Sequence, residues 1–129
     1  HGADVVLLIV AALGKNQLED YYHLSTELGM RSLIEVHTND ELERALEISP
    51  EIIGVNSRNL KTLEVDARAF AELIPQIPSS IARVAESGIS TRDEVVFAQE
   101  CGATAILVGE ALVRSESPSV AINQLLGRL

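Results

Sequence analysis

Leu33-Ile34-Glu35-Val36, Thr38-Asn39-Asp40-Glu41 and Ile52-Ile53-Gly54-Val55 read in order as a strand, a helix start and a second strand. The two apolar tetrads are short and rich in Ile and Val, which favours strand over helix. Between them, Thr38 followed three residues later by Glu41 is a capping box, the pattern that satisfies the free N–H groups at a helix start. The helix it opens would bury Leu42, Ala45 and Leu46, and Pro50 marks its end.

The same unit recurs outward in both directions. Apolar runs occupy residues 5–10, 33–36, 52–55, 81–85 and 105–108. Residues 15–28 have helical periodicity with Leu18, Tyr21, Tyr22 and Leu28 on one side, and Gly29 supplies the C-terminal stop. Asp66 is placed to cap a helix with Phe70, Leu73 and Ile74 inward, halted at Pro75. Thr91-Arg92-Asp93-Glu94 repeats the capping box ahead of Val95 and Ala98, with an end near Gly102. Ser117-Pro118 sets an N-cap before a proline at the first helical position, and the last helix runs towards Leu126.

Strict alternation of strand and helix predicts an α/β protein with parallel strands and right-handed crossovers. Two architectures share that pattern: an open doubly wound sheet and part of a (βα)8 barrel. The length of 129 residues suits a five-stranded doubly wound domain. No linker, repeat or low-complexity tract divides the chain, so residues 1–129 are expected to form a single domain or one piece of one.

Composition narrows the function classes. The chain is 47% hydrophobic but only 3% aromatic, the profile of a buried parallel sheet rather than of a disordered segment. A net charge of −9 disfavours nucleic acid and anionic membrane surfaces, while leaving room for a local site that binds a small anion. Cys101 is the only cysteine, so no internal disulfide is possible, and a cytoplasmic setting is expected. The longest apolar run, residues 5–13, is far short of a membrane span.

In both architectures ligands meet the C-terminal ends of the strands. Glu35 is the most informative residue there: between Ile34 and Val36 it would be desolvated, its pKa raised and its carboxyl suited to proton transfer. A structural ion pair with a neighbouring lysine or arginine is the alternative. Asn56-Ser57-Arg58-Asn59 places hydrogen-bond donors and a fixed positive charge beyond the next strand, with Arg58 able to hold a carboxylate or phosphate, or to brace its own loop. Glu86-Ser87-Gly88 and Gly109-Glu110 follow the last two strands. Their glycines would let backbone N–H groups approach an anion, with Ala111-Leu112-Val113 as a short helix behind them.

Other residues carry blander readings. His1, His23 and His37 lack metal-site spacing, and no metal or other cofactor is expected. His37 sits near a strand exit, where it could line a pocket, with exposure to solvent the simpler reading. Tyr21-Tyr22 reads as a face packed on the sheet, Lys15 and Lys61 as solvated charges, and Cys101 as a small packing residue.

Taken together, Val6-Leu7-Leu8-Ile9-Val10, Leu33-Ile34-Glu35-Val36, Ile53-Gly54-Val55-Asn56-Ser57-Arg58-Asn59-Leu60, Val84-Ala85-Glu86-Ser87-Gly88-Ile89 and Leu107-Val108-Gly109-Glu110 resemble indole-3-glycerol phosphate synthase. The resemblance covers essentially the whole chain. It implies a (βα)8 TIM barrel, here an incomplete C-terminal portion of about five βα units, matching the family's fourth strand through its last helix.

The activity implied is that of a carboxy-lyase of tryptophan biosynthesis. It is the decarboxylative ring closure of 1-(2-carboxyphenylamino)-1-deoxyribulose 5-phosphate to indole-3-glycerol phosphate, with no cofactor and no metal. By resemblance Glu35, Asn56 and Glu86 are catalytic, and Arg58 and Ser87 bind substrate. Gly88, Gly109 and Glu110 bind its phosphate, Glu110 through its backbone N–H with the carboxylate turned away.

The family's two lysines and one glutamate on its first and third strands have no counterpart in residues 1–129. The chain alone is therefore expected to have little or no synthase activity. It is also expected to self-associate through open sheet edges or to need an N-terminal half. Phosphoribosylanthranilate isomerase, another phosphate-binding barrel, and a non-catalytic half-barrel that binds phosphate or a partner polypeptide are the rival readings.

Overall fold

The computed structural model describes residues 2–59 and 63–128; His1, Leu60 and Lys61 of the sequence reading lie outside that range. The elements run β1 (Val5–Ile9), α1 (Lys15–Glu27), β2 (Arg31–Val36), α2 (Asn39–Glu47), β3 (Ile52–Asn56), α3 (Arg68–Leu73), β4 (Ala82–Glu86), α4 (Arg92–Glu100), β5 (Ala105–Leu107), α5 (Glu110–Arg114) and α6 (Pro118–Leu125). Single 3-10 turns follow β1 at Val10–Ala12 and α3 at Ile74–Gln76, the second containing Pro75.

All strand pairs are parallel, and the spatial order is β1-β2-β3-β4-β5. A doubly wound sheet reverses direction at a switch point, which puts helices on both faces. Here the order never reverses, so right-handed crossovers carry every connecting helix to the same face. This is the winding of a (βα)8 barrel, and the doubly wound alternative is excluded.

Alternation along the strands separates the two faces. Leu8, Ile34, Val36, Ile53, Val55 and Ala85 point to the helix layer and pack with Leu18, Leu42, Ala45, Phe70, Leu73, Ile74, Val95, Ala98 and Leu125. Burying each large side chain in this layer contributes roughly 1.5–3 kcal/mol. The other face carries Val5, Leu7, Leu33, Glu35, Gly54, Asn56, Val84, Glu86 and Leu107, the side that a closed barrel turns inward. Val5, Leu7 and Leu107 are about half exposed there.

The local signals hold with instructive shifts. The end of α1 has the expected glycine, with Gly29 at φ +79°, its N–H bonded to the Thr26 carbonyl and the Met30 N–H to the Ser25 carbonyl. The buried face of α1 differs from the expected one. Leu18, Tyr22 and Ser25 face the sheet, and the Ser25 and Ser32 hydroxyls bond at 2.6 Å, whereas Tyr21 and Leu28 are exposed. The 18-22-25 spacing keeps one helix face, and Tyr21 lies about 100° off it.

Thr91 and Glu94 make both bonds of the capping box. At α2 the Thr38 hydroxyl accepts from Glu41 N, but the Glu41 carboxylate accepts from His37 N, one residue earlier than expected, at 2.7 Å. Asp66 accepts from the Arg68 N–H and so caps the turn that leads into α3. Ser117 stands at the cap position of α6, yet its hydroxyl bonds Ser119 rather than the helix backbone. Cys101 packs, partly buried, against the core. Among the described residues no helix is long and apolar enough to cross a membrane.

Candidate functional site at the strand ends

The register fixes what meets at the C-terminal rim. Glu35 of β2 pairs with Gly54 of β3, and Asn56 of β3 pairs with Glu86 of β4. All four lie on the inward face, and Glu35, Asn56 and Glu86 are buried. Ile34 and Val36, which suggested a desolvated Glu35, point the other way into the helix layer. The burial of Glu35 comes instead from its inward neighbours.

Those neighbours include a second carboxyl. The Glu86 pKa is pushed up to about 8, first by burial, then by the charge of Glu35 and by a hydrogen bond to it. Glu86 Oε1 is buried with no donor from any described residue, so a bond between the two carboxyl groups requires a proton on one of them. The carboxyl whose pKa is raised is thus that of Glu86, with Glu35 as the neighbouring charge.

The loops beyond β3 and β4 are tied together. Asn56 turns its Oδ1 to the Arg58 N–H at 2.9 Å, and its carbonyl bonds His37 Nδ1 at 2.6 Å. His37, assigned above to solvent, is half-buried and links the exits of β2 and β3. Ser57 is fully buried; its N–H bonds the Glu86 carbonyl and its hydroxyl the Ser87 carbonyl. An antiparallel bridge between Arg58 and Val65 turns this loop back, so that Val65 covers Gly88. Ser87 and Gly88 both adopt positive φ, at 64° and 65°.

A cleft of about 740 Å³ opens beside this turn, lined among others by Arg58, Glu86, Ser87, Gly88, Gly109 and Glu110. Gly109 caps α5, the short helix expected from Ala111-Leu112-Val113, and nothing lies within 4 Å of where its Cβ would stand. Among the described residues no carbonyl accepts from the Gly88 or Gly109 N–H. The Glu110 carboxylate bridges two arginines, Arg58 at 3.0 Å and Arg114 at 3.0 Å, so it adds no bare negative charge to the cleft.

Arg58, Glu86, Ser87, Gly88, Gly109 and Glu110 thus line one cleft, whereas Glu35 and Asn56 are buried on the inward face beside Glu86 and outside the cleft lining. Gly54 and Arg114 were missed, and His37 had been assigned to solvent. Only Arg114 left a local trace, as the basic residue four positions after Glu110. Among the described residues no group of three His, Cys, Asp or Glu side chains gathers as a metal site.

Comparison with known proteins decides the family. The family model for indole-3-glycerol phosphate synthase matches residues 1–125. The chain belongs to the indole-3-glycerol phosphate synthase family. The family member of Kineococcus radiotolerans is 52% identical over 125 residues, covering 97% of this chain and 46% of that protein. Indole-3-glycerol phosphate synthase 1 of Streptomyces coelicolor is 49% identical over 127 residues, covering 98% and 47%. The chain thus spans a little under half the length of the curated relatives it matches.

Solved structures agree on architecture. A 3-hexulose-6-phosphate synthase superimposes with a TM-score of 0.76 at 14% identity, over 99% of this chain and 63% of the other. A thiamine phosphate pyrophosphorylase from Pyrococcus furiosus gives 0.76 at 19% identity, over 98% and 59%. At such low identities these likenesses bear on the fold alone. They match the five consecutive parallel βα units described above.

Proposed function

We propose that this chain forms part of the catalytic rim of an indole-3-glycerol phosphate synthase in tryptophan biosynthesis. The substrate is 1-(2-carboxyphenylamino)-1-deoxyribulose 5-phosphate. The aromatic ring carbon bonds the former carbonyl carbon, the carboxylate departs as carbon dioxide, and the carbonyl oxygen leaves as water. The departing oxygen takes up two protons, one of them released from carbon as the indole forms and the other drawn from solvent. A glutamate pair that holds one proton can give it and take one back near neutral pH. The observation that carries this reading is the meeting of Glu35 and Glu86, buried, beside a cleft edged by two glycine turns.

In this reading Asn56 orients the substrate's polar groups, Arg58 holds its carboxylate, and Glu86 and Ser87 face its hydroxyls. The Gly88, Gly109 and Glu110 N–H groups take the phosphate, an arrangement favoured where a backbone can approach an anion without a Cβ between them. Neither metal nor cofactor enters the scheme. The remaining catalytic groups come from a partner N-terminal barrel half that covers the inward face, which also shields Val5, Leu7 and Leu107.

The test is a barrel in which residues 1–125 replace the matched segment of the Kineococcus radiotolerans relative. Indole formation from the ribulose substrate is expected at a rate within roughly ten-fold of the parent, with Glu86→Gln lowering kcat by about 100-fold or more. A folded barrel with no turnover, or one indifferent to Glu86→Gln, would refute the reading.

A further inference from the structure

Gly54 stands in the middle of β3, where glycine weakens a strand and needs a reason. Its backbone gives none, because it is absent from the positive-φ positions that only glycine tolerates well. Its surroundings do. A Cβ at this position would lie 1.6 Å from Glu86 Oε1, 2.8 Å from Glu86 Cδ and 3.1 Å from Leu33 Cδ1. The Glu86 side chain therefore leans back along β3 into the space that any other residue at position 54 would fill.

Register explains what the lean achieves. Glu86 pairs with Asn56, two residues along the same face from Gly54, and Gly54 pairs with Glu35. Crossing Gly54 is the path that brings the carboxyl of β4 to the carboxyl of β2, one strand further than neighbouring residues reach. We propose that Gly54 is a positioning residue: its missing side chain is the slot in which the Glu86 carboxyl lies against Glu35, and that slot makes the two glutamates one proton-sharing unit.

Among the described residues no other charge near Glu86 produces the same effect. On β3 the facing residues Gly54 and Asn56 are neutral, and so is Leu107 on β5. Arg58, Glu94, Glu110 and Arg114 line the cleft from the loops, α4 and α5. The two arginines there are engaged by Glu110, and Glu94 by its capping box. Burial and the Glu35 carboxylate are left to hold the proton, and both depend on the slot.

The role in catalysis rests on the synthase reading above, whereas the slot does not, so two measurements separate them. The first is a ¹³C titration of the Glu86 carboxyl in the 129-residue chain. In Gly54→Ala its midpoint is expected to drop from about 8 towards the ordinary 4.5; an unchanged midpoint overturns the inference. Should Gly54→Ala fail to fold, Glu35→Gln keeps the slot and removes the charge. A fall in the midpoint then supports the pair, and no fall overturns it. The second is the pH profile of turnover in the hybrid barrel. Gly54→Ala is expected to move the alkaline limb of kcat down by about one pH unit or more, with KM within roughly three-fold. An equal loss at every pH would mark Gly54 as merely structural and overturn the positioning role. If the parent hybrid forms no indole, the synthase reading fails and the titration alone decides the slot.

Discussion

Arg58 and Glu110, 52 residues apart in sequence, join across the cleft with Nη2 of one 3.0 Å from Oε2 of the other. The pair connects the loop after β3 to the first turn of α5. Both side chains are substantially exposed, so the bond itself contributes under about 1 kcal/mol to stability. In the proposed reading its effect is on binding, because it occupies the guanidinium that would hold an anionic ligand. Glu110→Gln is therefore expected to leave the melting temperature nearly unchanged and to tighten the binding of indole-3-glycerol phosphate by up to about five-fold. Arg58→Ala should weaken it by about ten-fold or more. Isothermal titration of the hybrid barrel reads both. Weaker binding in Glu110→Gln would show that the carboxylate assists rather than competes.

Glu86 gives stability an unusual pH dependence. Its folded value of about 8 exceeds the ordinary 4.5, so between those limits the native state holds more protons than the unfolded chain. The stabilisation is complete below about 4.5 and is lost as pH rises through about 8. Asp66 acts in the opposite direction. Hydrogen bonds from the Arg68 side chain and backbone lower it to about 2, so its small contribution is lost as pH falls from 3.8 towards that value. Urea denaturation at about pH 5 and about pH 8 should show lower stability at the higher pH, and Glu86→Gln should flatten the difference.

Gly88 and Gly109 make a matched contrast. Gly88 has φ +65°, and a Cβ there would stand 2.5 Å from Val65 Cγ1 and 3.0 Å from Ser57 Oγ. Gly88→Ala should cost about 1–3 kcal/mol. Gly109 has φ −118° and open space around its Cβ position. Gly109→Ala should stay within about 0.5 kcal/mol of the parent yet weaken phosphate binding, since a methyl would stand between the ligand and the backbone. Thermal melts paired with ligand titration separate the two effects.

The helix layer predicts its own pair. Phe70 on α3 is buried at 2% exposure, while Phe97 on α4 is 38% exposed. Phe70→Ala should cost about 3–5 kcal/mol, and Phe97→Ala about 1 kcal/mol or less. Equal losses in denaturant melts would contradict the placement of the core.

Much of this fold is local and therefore readable from the chain. The capping box at Thr91, the stop at Gly29 and the apolar runs act within a few residues, where propensity and hydrogen bonding dominate. The shifts at Tyr21 and at Glu41 mark its limit. A helix face is chosen by the sheet it meets, and Glu41 had two N–H groups within reach.

The rim was legible as a set of polar residues at strand exits, but not as a geometry. Glu35 drew attention through Ile34 and Val36, which in fact face the opposite layer. Its real partner, Glu86, is set by the parallel register of β2, β3 and β4, a non-local fact that no short window contains. Gly54 was invisible for the same reason, since its function is the absence of an obstacle between two other residues. His37 took its place through a carbonyl 19 residues away.

Amide-resolved NMR of the chain titrated with indole-3-glycerol phosphate most directly tests whether these side chains and turns form one site. The account predicts shifts clustered at Gly88, Gly109 and Glu110, extending to Glu35, Asn56 and Glu86, with the far ends of the strands near Val5 and Arg31 unmoved. Shifts confined to the helix layer, or none up to the solubility of the ligand, would contradict it.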